Sequence, residues 1–236
     1  MPSPLNAAGR ALSRMVLNLR RRLRRPVHRA IAAEWAPRLE RLFAGREFSS
    51  DWASGNIPYW VDHLGPHRGE IRRVLEVGTW EGRSAVFFLD FFPEATVTCV
   101  DTFGGGIDNH GNPTERVEIP FIESRFDANV AAFGDRAIKI KSRSLPALDR
   151  LAASGERYDL IYVDGSHERD DVMIDSLLCW RLLRPGGFMI FDDYRWSPDK
   201  PAAERPAPAI DAFLDWYADD LVELHRRYQV IVRRKG

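Results

Sequence analysis

The feature of the sequence that most constrains the fold is a repeated alternation of short apolar runs with helix-forming stretches, which begins near Arg72. Central strands of a parallel sheet are short apolar runs, because helices cover both faces of such a sheet. The predicted strands span 74–77, 96–101, 137–141, 158–164 and 187–192. The predicted helices span 83–92, 121–133, 145–153 and 168–183. The alternation therefore predicts an α/β fold with an open parallel sheet.

The C-terminal segment departs from this alternation. Four prolines between residues 198 and 208 interrupt regular structure, and a helix is predicted over 209–218. Two short apolar runs follow, at 221–224 and 228–232. So few residues separate these runs that they can pair only in antiparallel orientation. An antiparallel hairpin is therefore expected to complete the sheet.

The charges are distributed unevenly along the chain. Residues 1–30 contain eight arginines and no acidic residue, so the other 206 residues carry 26 basic and 34 acidic side chains. Within this basic segment, apolar residues recur at steps of three and four, as in an amphipathic helix. They are Leu12, Met15, Val16, Leu19, Leu23, Val27 and Ile31. The sequence thus predicts a basic amphipathic helical arm over 1–48, a loop-rich connector over 49–69 and a folded domain over 70–236.

Three roles are open for the arm. It can pack on the body or on a second subunit, it can contact an anionic membrane or a nucleic acid, or it can serve as a targeting segment. Packing on the body or on a second subunit is the favoured role and a homo-oligomer is expected, while peripheral membrane contact through the arm stays open. The chain has no run of about 18 apolar residues and only two cysteines, which excludes a membrane span and a disulfide scaffold and favours a cytoplasmic location.

The first predicted strand leads into a glycine-containing turn, EVGTWEGRS, at 76–84. Ligands of open α/β sheets bind at the carboxyl ends of the strands, and Gly78 and Gly82 allow a sharp turn there. Trp80 replaces a glycine of the dinucleotide motif, and no G-K-[ST] motif is present, so a pyrophosphate ligand is disfavoured. The second strand ends at Asp101, which can accept hydrogen bonds from ribose hydroxyls. These features predict a nucleoside cofactor, unless the glycines only shape a turn and Asp101 only caps the next loop.

Three carboxylates follow two neighbouring strands. Asp164 ends one strand, and Asp192 and Asp193 end the next. Adjacent strands lie about 4.8 Å apart, so these side chains can converge, and their repulsion favours a shared cation. Oxygen ligands suit Mg²⁺, with Ca²⁺ and Mn²⁺ as competitors. The alternative is that one acid caps a helix and Asp193 faces solvent.

His167 lies three residues after Asp164 and is the candidate general base. A histidine with an ordinary pKa near 6.5 is mostly neutral at cytoplasmic pH and can accept a proton. His110 is an alternative base in the glycine-rich loop 102–120, whose glycines 104–106 could hinge a lid. Four aromatic residues are candidates for the walls of an acceptor pocket: Trp60, Phe103, Tyr194 and Trp196.

Residues 70–236 resemble the class I S-adenosylmethionine-dependent methyltransferases. Four segments carry the resemblance: EVGTWEGRS (76–84), TCVDTF (98–103), YDLIYVDGSH (158–167) and LRPGGFMIFDDY (183–194). Within the class, the chain is most similar to metal-dependent small-molecule O-methyltransferases of the macrolide-sugar and catechol types. The resemblance implies a Rossmann-like, doubly wound sheet of seven strands with an antiparallel last strand. It also implies methyl transfer from S-adenosylmethionine to a hydroxyl group of a small molecule or sugar.

The resemblance further implies roles for individual residues. The expected cofactor-binding residues are Glu76, Gly78, Thr79, Gly82, Ser84, Asp101, Thr102 and Asp164. The expected ligands of Mg²⁺ are Asp164, Asp192 and Asp193. His167 is expected to act as the general base, with Asp164 as the second catalytic residue.

Two other functions are weighed against this one. A nucleic-acid methyltransferase would use the basic arm, but enzymes of that kind carry an Asn/Asp-Pro-Pro-aromatic motif where this chain reads Asp-Gly-Ser-His at 164–167. Nucleic acid is therefore not the expected partner. A nucleoside-binding module without catalysis is the other alternative, and it is disfavoured by the intact glycine turn and acid cluster.

Overall fold

The computed structural model describes the backbone of residues 4–236 and the side chains of residues 23–236. The helices are α1 (Pro4–Phe43), α2 (Ile57–Leu64), α3 (Arg83–Phe91), α4 (Ile107–Gly111), α5 (Pro113–Arg116), α6 (Ile122–Val130), α7 (Ser144–Ala153), α8 (Arg169–Leu182) and α9 (Ala207–Trp216). The strands are β1 (Arg73–Val77), β2 (Thr96–Asp101), β3 (Ala137–Lys141), β4 (Tyr158–Val163), β5 (Leu183–Phe191), β6 (Leu221–Arg226) and β7 (Val230–Arg234). Short 3₁₀ helices occupy Gly65–His67, Ile119–Phe121, Ala131–Arg136 and Ala202–Glu204.

The strands form one seven-stranded sheet in the order β3-β2-β1-β4-β5-β7-β6. Strands β1 to β5 are parallel, and β7 runs antiparallel to both β5 and β6. The prediction of a doubly wound, Rossmann-like sheet with an antiparallel last strand is confirmed. The order of the chain reverses between β1 and β4, so the ligand crevice of such a sheet opens at the carboxyl ends of these two strands.

Both faces of the sheet are covered, as the apolar strands predict. Successive side chains of a strand point to opposite faces, and β4 shows this directly. Leu160 and Tyr162 pack with the aromatic core beneath α1, α2 and α3, whereas Ile161 and Val163 pack with the core beneath α7, α8 and α9. These two cores hold the strand ends, and with them the crevice, in place.

The C-terminal half of α1 packs on the body of the protein. Trp35 is buried, and its ring lies 5.8 Å from that of Phe87 and 5.4 Å from that of Phe91. Of the predicted apolar stripe, Ile31 packs against the core, whereas Leu23 and Val27 are exposed. The stripe positions Leu12, Met15, Val16 and Leu19 lie outside the described side chains.

Two segments predicted as loops contain helices. The connector 49–69 includes α2, whose Trp60 is fully buried and donates a hydrogen bond from its indole nitrogen to Gln229 Oε1 at 2.7 Å. The loop 102–120 contains α4 and α5. The α-helices in both regions have eight residues or fewer, which is too short to give a clear helical period in a sequence.

Candidate active site

The turn after β1 can be built only with glycine at its first position. Gly78 has φ of +82°, and a Cβ atom on it would lie 1.9 Å from the carbonyl oxygen of Asp164. Gly82 has φ of +80°, and its Cβ would lie 2.8 Å from the ring of Phe126. Left-handed backbone and close approach are the two reasons for which a chain requires glycine. The turn therefore packs directly against the end of β4, where the crevice opens.

Glu76 is the last residue but one of β1, beneath this turn, and is fully buried. Its Oε2 atom accepts a hydrogen bond from Thr79 Oγ1 at 2.8 Å, and its Oε1 atom accepts one from the Ser84 hydroxyl. Burial raises the pKa of Glu76 to about 7, with a further increase from the charge of Asp101, and the two hydrogen bonds offset only part of this shift. The carboxyl group of Glu76 is therefore close to half protonated near neutral pH in the folded chain.

Asp101, at the end of β2, holds the two neighbouring loops. Its Oδ2 atom accepts hydrogen bonds from the backbone N–H groups of Thr79 at 2.7 Å and Trp80 at 2.8 Å. Its Oδ1 atom accepts a third from Phe103 at 2.6 Å. These contacts are the capping role that the sequence left open for Asp101. A carboxylate has about four acceptor sites, so capacity for a ligand is left, and contact with ribose stays a prediction.

A cleft of about 2160 Å³ runs along the carboxyl ends of the strands. It is larger than the 300–1,000 Å³ typical of a single small-ligand pocket and has room for two molecules. Its lining includes most of the predicted site residues, namely Gly78, Thr79, Ser84, Asp101, Thr102, Asp164, His167, Asp192 and Asp193. The structure thus brings together both groups of residues that the sequence singled out.

Of the four aromatic residues predicted for the pocket, Trp196 lines the cleft. Trp60 and Phe103 are buried in the core instead. Tyr194 lies outside the cleft lining, and its hydroxyl lies 3.1 Å from Asp211 Oδ1 and 3.2 Å from Arg226. Aromatic residues near loops commonly belong to the core, and their spacing gave no means to separate the two cases.

Two of the three predicted metal ligands, the half-buried Asp164 and the buried Asp192, are carboxylates that repel each other. Burial raises the pKa of Asp164 well above its usual range, and the charges of Asp192 and Asp193 add to the shift. Burial, with the charge of Asp193, raises the pKa of Asp192 to about 7. Repulsion of this kind is relieved when a cation binds between the carboxylates.

Both ends of the Asp192 carboxylate are held by neighbours. Its Oδ2 atom accepts hydrogen bonds from the Tyr162 hydroxyl and from Gln229 Nε2, the latter at 2.7 Å. Its Oδ1 atom accepts one from the backbone N–H of Asp193 at 2.7 Å. Among the described residues, these three acids do not form a group whose ligand atoms all lie within 4.8 Å of one another, so the close convergence predicted for them is not seen. Their oxygen donors match a hard cation such as Mg²⁺, and a bound cation would compete with these hydrogen bonds.

Asp193 links the acids to His167. It has φ of +56°, and its Oδ1 atom accepts a hydrogen bond from the Tyr228 hydroxyl at 2.6 Å. Its Oδ2 atom lies 2.9 Å from His167 Nε2. The predicted base and a predicted metal ligand are thus in direct contact.

The other nitrogen of His167 is held by a residue that the sequence analysis did not single out. Nδ1 lies 3.0 Å from Asp108 Oδ2, and Lys200 Nζ lies 2.7 Å from Asp108 Oδ1. The ring of Trp196 packs on the imidazole with 4.2 Å between ring centroids. Burial by itself would lower the pKa of His167, but the hydrogen bonds and charges of Asp193 and Asp108 outweigh it, so the pKa is raised.

Asp108 and Lys200 lie in α4 and in the proline-rich segment, far from His167 along the chain. No motif or period connects them with the acid cluster, so a single sequence contains no signal for this contact. The alternative base, His110, also lines the cleft but is exposed, and its Nε2 atom lies 2.9 Å from the carbonyl oxygen of Gly104. His167 is therefore the histidine that contacts the acids.

Asp175 on α8 is a second site residue missed by sequence reasoning. It lines the cleft and is 2% exposed, and burial raises its pKa to about 6. Its Oδ1 atom is buried without a hydrogen-bond partner among the described residues. An acid within a helix that shows no clear amphipathic period gave no reason to expect a buried position.

Comparison with known proteins identifies the class to which this fold and site belong. Residues 75–194, about half of the chain, match the methyltransferase domain family. The chain belongs to that family, and it has the class I S-adenosylmethionine-dependent methyltransferase fold. The resemblance inferred from the four sequence segments is confirmed.

Three solved structures show the same fold. MycE, a methyltransferase of the mycinamycin pathway in complex with Mg and SAH, matches with a TM-score of 0.60 and 21% identity over 84% of this chain and 54% of its own. The O-methyltransferase TomG of Streptomyces achromogenes, from tomaymycin synthesis and in complex with SAM, has a TM-score of 0.57 and 19% identity over 87% and 90%. An O-methyltransferase of Bacillus cereus in complex with SAH has a TM-score of 0.58 and 15% identity over 87% and 91%.

A sequence relative matches only a short part of the chain. An uncharacterized protein of Acanthamoeba polyphaga mimivirus is 35% identical over 71 residues, which are 28% of this chain and 31% of the viral protein. The chain thus spans about a third of that relative and about half of MycE. Among the described helices, none combines the length and the apolar character needed to cross a bilayer.

Proposed function

We propose that this protein is an S-adenosylmethionine-dependent O-methyltransferase that acts, with Mg²⁺, on a hydroxyl group of a small molecule or sugar. The observation that carries the proposal is the position of His167, whose ring nitrogens lie 3.0 Å from Asp108 Oδ2 and 2.9 Å from Asp193 Oδ2 in the cleft. A histidine in the cleft beside clustered carboxylates is placed to remove a proton from an acceptor hydroxyl.

The solved relatives support the choice of cofactor. TomG is described with SAM, and MycE and the Bacillus cereus enzyme are described with SAH, the product left after methyl transfer. In this chain the turn after β1 would hold such a ligand, with Glu76 and Asp101 as the acids beside it. S-adenosylmethionine supplies a methyl group on a positively charged sulfur. The contacts expected from Thr79, Gly82, Ser84 and Thr102 are part of this proposal.

The acid cluster would hold the cation. Asp164, Asp192 and Asp193 offer oxygen donors only, and the raised pKa values of Asp164 and Asp192 indicate a shortage of positive charge in the cluster. This unbalanced negative charge is the observation that supports the chemical fit of the three residues to a divalent ion. A bound divalent ion would lower the pKa of an acceptor hydroxyl and stabilise its negative charge. MycE, which is described with Mg, supports the same choice of metal.

His167 would take the proton. Asp108 fixes the imidazole through Nδ1, and Lys200 in turn fixes Asp108. The nitrogen facing the acids is then Nε2, which pairs with Asp193 Oδ2 at 2.9 Å. Nε2 would be freed from this contact when Asp193 holds a cation, and the neutral Nε2 would then receive the proton of the acceptor hydroxyl while the methyl group takes its place on the oxygen. A carboxylate that orients a catalytic histidine in this way also stabilises the imidazolium that forms.

The proposal is tested by incubating the protein with S-adenosylmethionine, Mg²⁺ and a panel of sugars, phenols and polyketide alcohols, with methylated products detected by mass spectrometry. We expect a methyl ether product, a loss of at least about tenfold in rate with EDTA, and recovery with added Mg²⁺. Transfer that persists in both EDTA and the His167→Ala variant would contradict the mechanism. Cofactor binding by calorimetry without product from any acceptor would favour the nucleoside-binding module.

A further inference from the structure

We propose that His28, Asp62 and His63 form a binding site for a transition-metal cation of the zinc type, separate from the cleft. The site lies where α1 meets α2. Of the side chains the structure describes, these three form the group of histidine, cysteine and acidic residues whose ligand atoms all lie within 4.8 Å of one another. None of the three lines the cleft.

The spacing of the ligand atoms is close to that of a tetrahedral zinc site. His28 Nε2 lies 2.9 Å from Asp62 Oδ2, and His63 Nε2 lies 4.0 Å from the same oxygen. Zinc bonds of about 2.0–2.1 Å at tetrahedral angles place ligand atoms about 3.3–3.5 Å apart. The first distance has to open slightly and the second has to close slightly, which small side-chain rotations achieve.

The cluster is buried, and one of its nitrogens has no partner. The side chain of Asp62 is 5% exposed, that of His28 is 8% exposed and that of His63 is 13% exposed. The Nε2 atom of His63 is itself fully buried and makes no hydrogen bond. Buried polar atoms are nearly always satisfied, so an unpaired imidazole nitrogen 4.0 Å from a carboxylate needs an explanation. A cation between the two atoms supplies one.

The protonation states agree with metal binding. Burial lowers the pKa of His63 to about 4, so its imidazole is neutral near pH 7 and has a lone pair to offer. Burial tends to raise the pKa of Asp62, but hydrogen bonds from Arg24 and His28 outweigh it and the pKa is lowered, so this group is a carboxylate. Two imidazoles and one carboxylate favour zinc, cobalt, nickel or copper over Mg²⁺ or Ca²⁺.

Arg24 occupies the outer side of the same carboxylate. Its Nε atom donates a hydrogen bond to Asp62 Oδ2 at 2.7 Å, and its terminal nitrogen donates one to Oδ1. A metal on Oδ2 would displace the first contact and leave the second. Arg24 would then orient the ligating carboxylate from outside, as partners of metal ligands commonly do.

His225 on β6 is the nearest candidate for a fourth ligand. It is buried at the edge of the cleft, whose lining it joins, and its ring centroid lies 5.5 Å from that of His63 and 6.1 Å from that of His28. Burial lowers the pKa of His225 to about 3, so it too is neutral. A metal at this position would tie the N-terminal helix to α2 and β6, and would stabilise the fold in proportion to its binding.

The test uses the full chain and does not depend on methyl transfer. The protein is stripped with EDTA, the chelator is removed, and Co²⁺ and then Zn²⁺ are added, with visible absorption spectra and zinc content by mass spectrometry as readouts. We expect one tightly held zinc per chain and Co²⁺ absorption bands of a tetrahedral site. His63→Gln removes no hydrogen bond of Nε2 and is expected to weaken zinc binding about 100-fold while the circular dichroism spectrum is unchanged.

His67→Gln is the matched control, because His67 pairs with Glu70 outside the cluster. It is expected to bind zinc as the unaltered chain does. His28→Gln provides a second variant on the opposite side of the site. No retained zinc in the unaltered chain, or equal zinc affinity in the unaltered chain, His63→Gln and His28→Gln, would overturn the proposal.

Discussion

The two halves of the cleft are built in different ways. In the half formed by β1 and β2, the proposed cofactor half, Glu76 accepts a hydrogen bond from the Thr79 hydroxyl, and Asp101 accepts two from the backbone N–H groups of the same turn. In the half formed by β4 and β5, His167 and Asp193 depend on partners from distant segments, including Asp108 and Tyr228. The bonds of the first half join two short segments, the turn after β1 and the end of β2, whereas those of the second join side chains from four separate segments of the chain.

The largest effect expected is at His167, in the half assembled from distant segments. Replacing His167 with alanine removes the proposed base but none of the contacts around Gly78. General-base catalysis contributes about 10²–10⁴-fold, so kcat with a methylated acceptor is expected to fall by that factor. The dissociation constant for S-adenosylmethionine, measured by calorimetry, should change little. The matched control is His110→Ala, which should retain activity within about threefold if His167 is the base.

In the cofactor half of the cleft, the substitution expected to disrupt the structure most directly is Gly78→Ala. Alanine there would place Cβ 1.9 Å from the carbonyl oxygen of Asp164 at φ of +82°, so both a clash and backbone strain are introduced. We expect a loss of about 2–4 kcal/mol in the free energy of unfolding, measured with denaturant, and a loss of cofactor binding.

Gly155→Ala controls for strain alone, because Gly155 has φ of +76° and nothing lies within 4 Å of its Cβ position. It should lose about 1 kcal/mol and bind cofactor normally. Equal losses in the two variants would contradict the close packing of the turn against β4.

The two halves also differ in how far the sequence could predict them. The apolar strands, Gly78 and Asp101 follow local rules, namely strand patterns and the chemistry of turns, so the sheet and the positions of the glycine turn and Asp101 at its strand ends could be predicted. Their contacts with a cofactor stay predictions. The contact of Asp108 with His167 bridges 59 positions along the chain and follows no local rule. Long-range side-chain contacts depend on the packing of whole elements, which a single sequence does not specify.

The dependence on long-range packing also explains why α2 was not predicted within the connector 49–69. Ile57, Trp60 and Leu64 have helical spacing, but the helix has only eight residues, and a loop is an equally good interpretation of so short a pattern. Tertiary packing stabilises α2, because Trp60 is fully buried and its indole bonds to Gln229. The homo-oligomer stays a prediction, and the membrane contact of the arm stays an open alternative.

A smaller effect is expected at Asp108, which positions the base without being the base. Asp108→Asn keeps the size of the side chain but removes the charge that holds His167 Nδ1 and Lys200. We expect kcat to fall about 10- to 100-fold, with KM for S-adenosylmethionine nearly unchanged. The exposed neighbour Asp199 provides the control, and Asp199→Asn should be indistinguishable from the unaltered chain. An increase in KM without a fall in kcat would assign Asp108 to binding instead.

The smallest effect concerns the pH dependence of stability in the cofactor half. Glu76 has a pKa of about 7 in the cofactor-free folded chain and an ordinary value of 4.5, so the folded state binds more protons between these two pH values. The free energy of unfolding is then higher below pH 4.5 than above pH 7, and it falls as pH rises through this window. Glu76→Gln removes this contribution.

Between pH 6 and pH 7 the stability of the unaltered chain should therefore fall by about 1 kcal/mol more than that of Glu76→Gln. Denaturant unfolding of both proteins at the two pH values measures the difference, and the exposed Glu94→Gln variant should follow the unaltered chain. Subtracting one variant from the other cancels the acids of the other half, since Asp192 also has a pKa of about 7. Identical pH slopes for the unaltered chain and Glu76→Gln would show that the carboxyl group of Glu76 is not held in a charge-excluding environment.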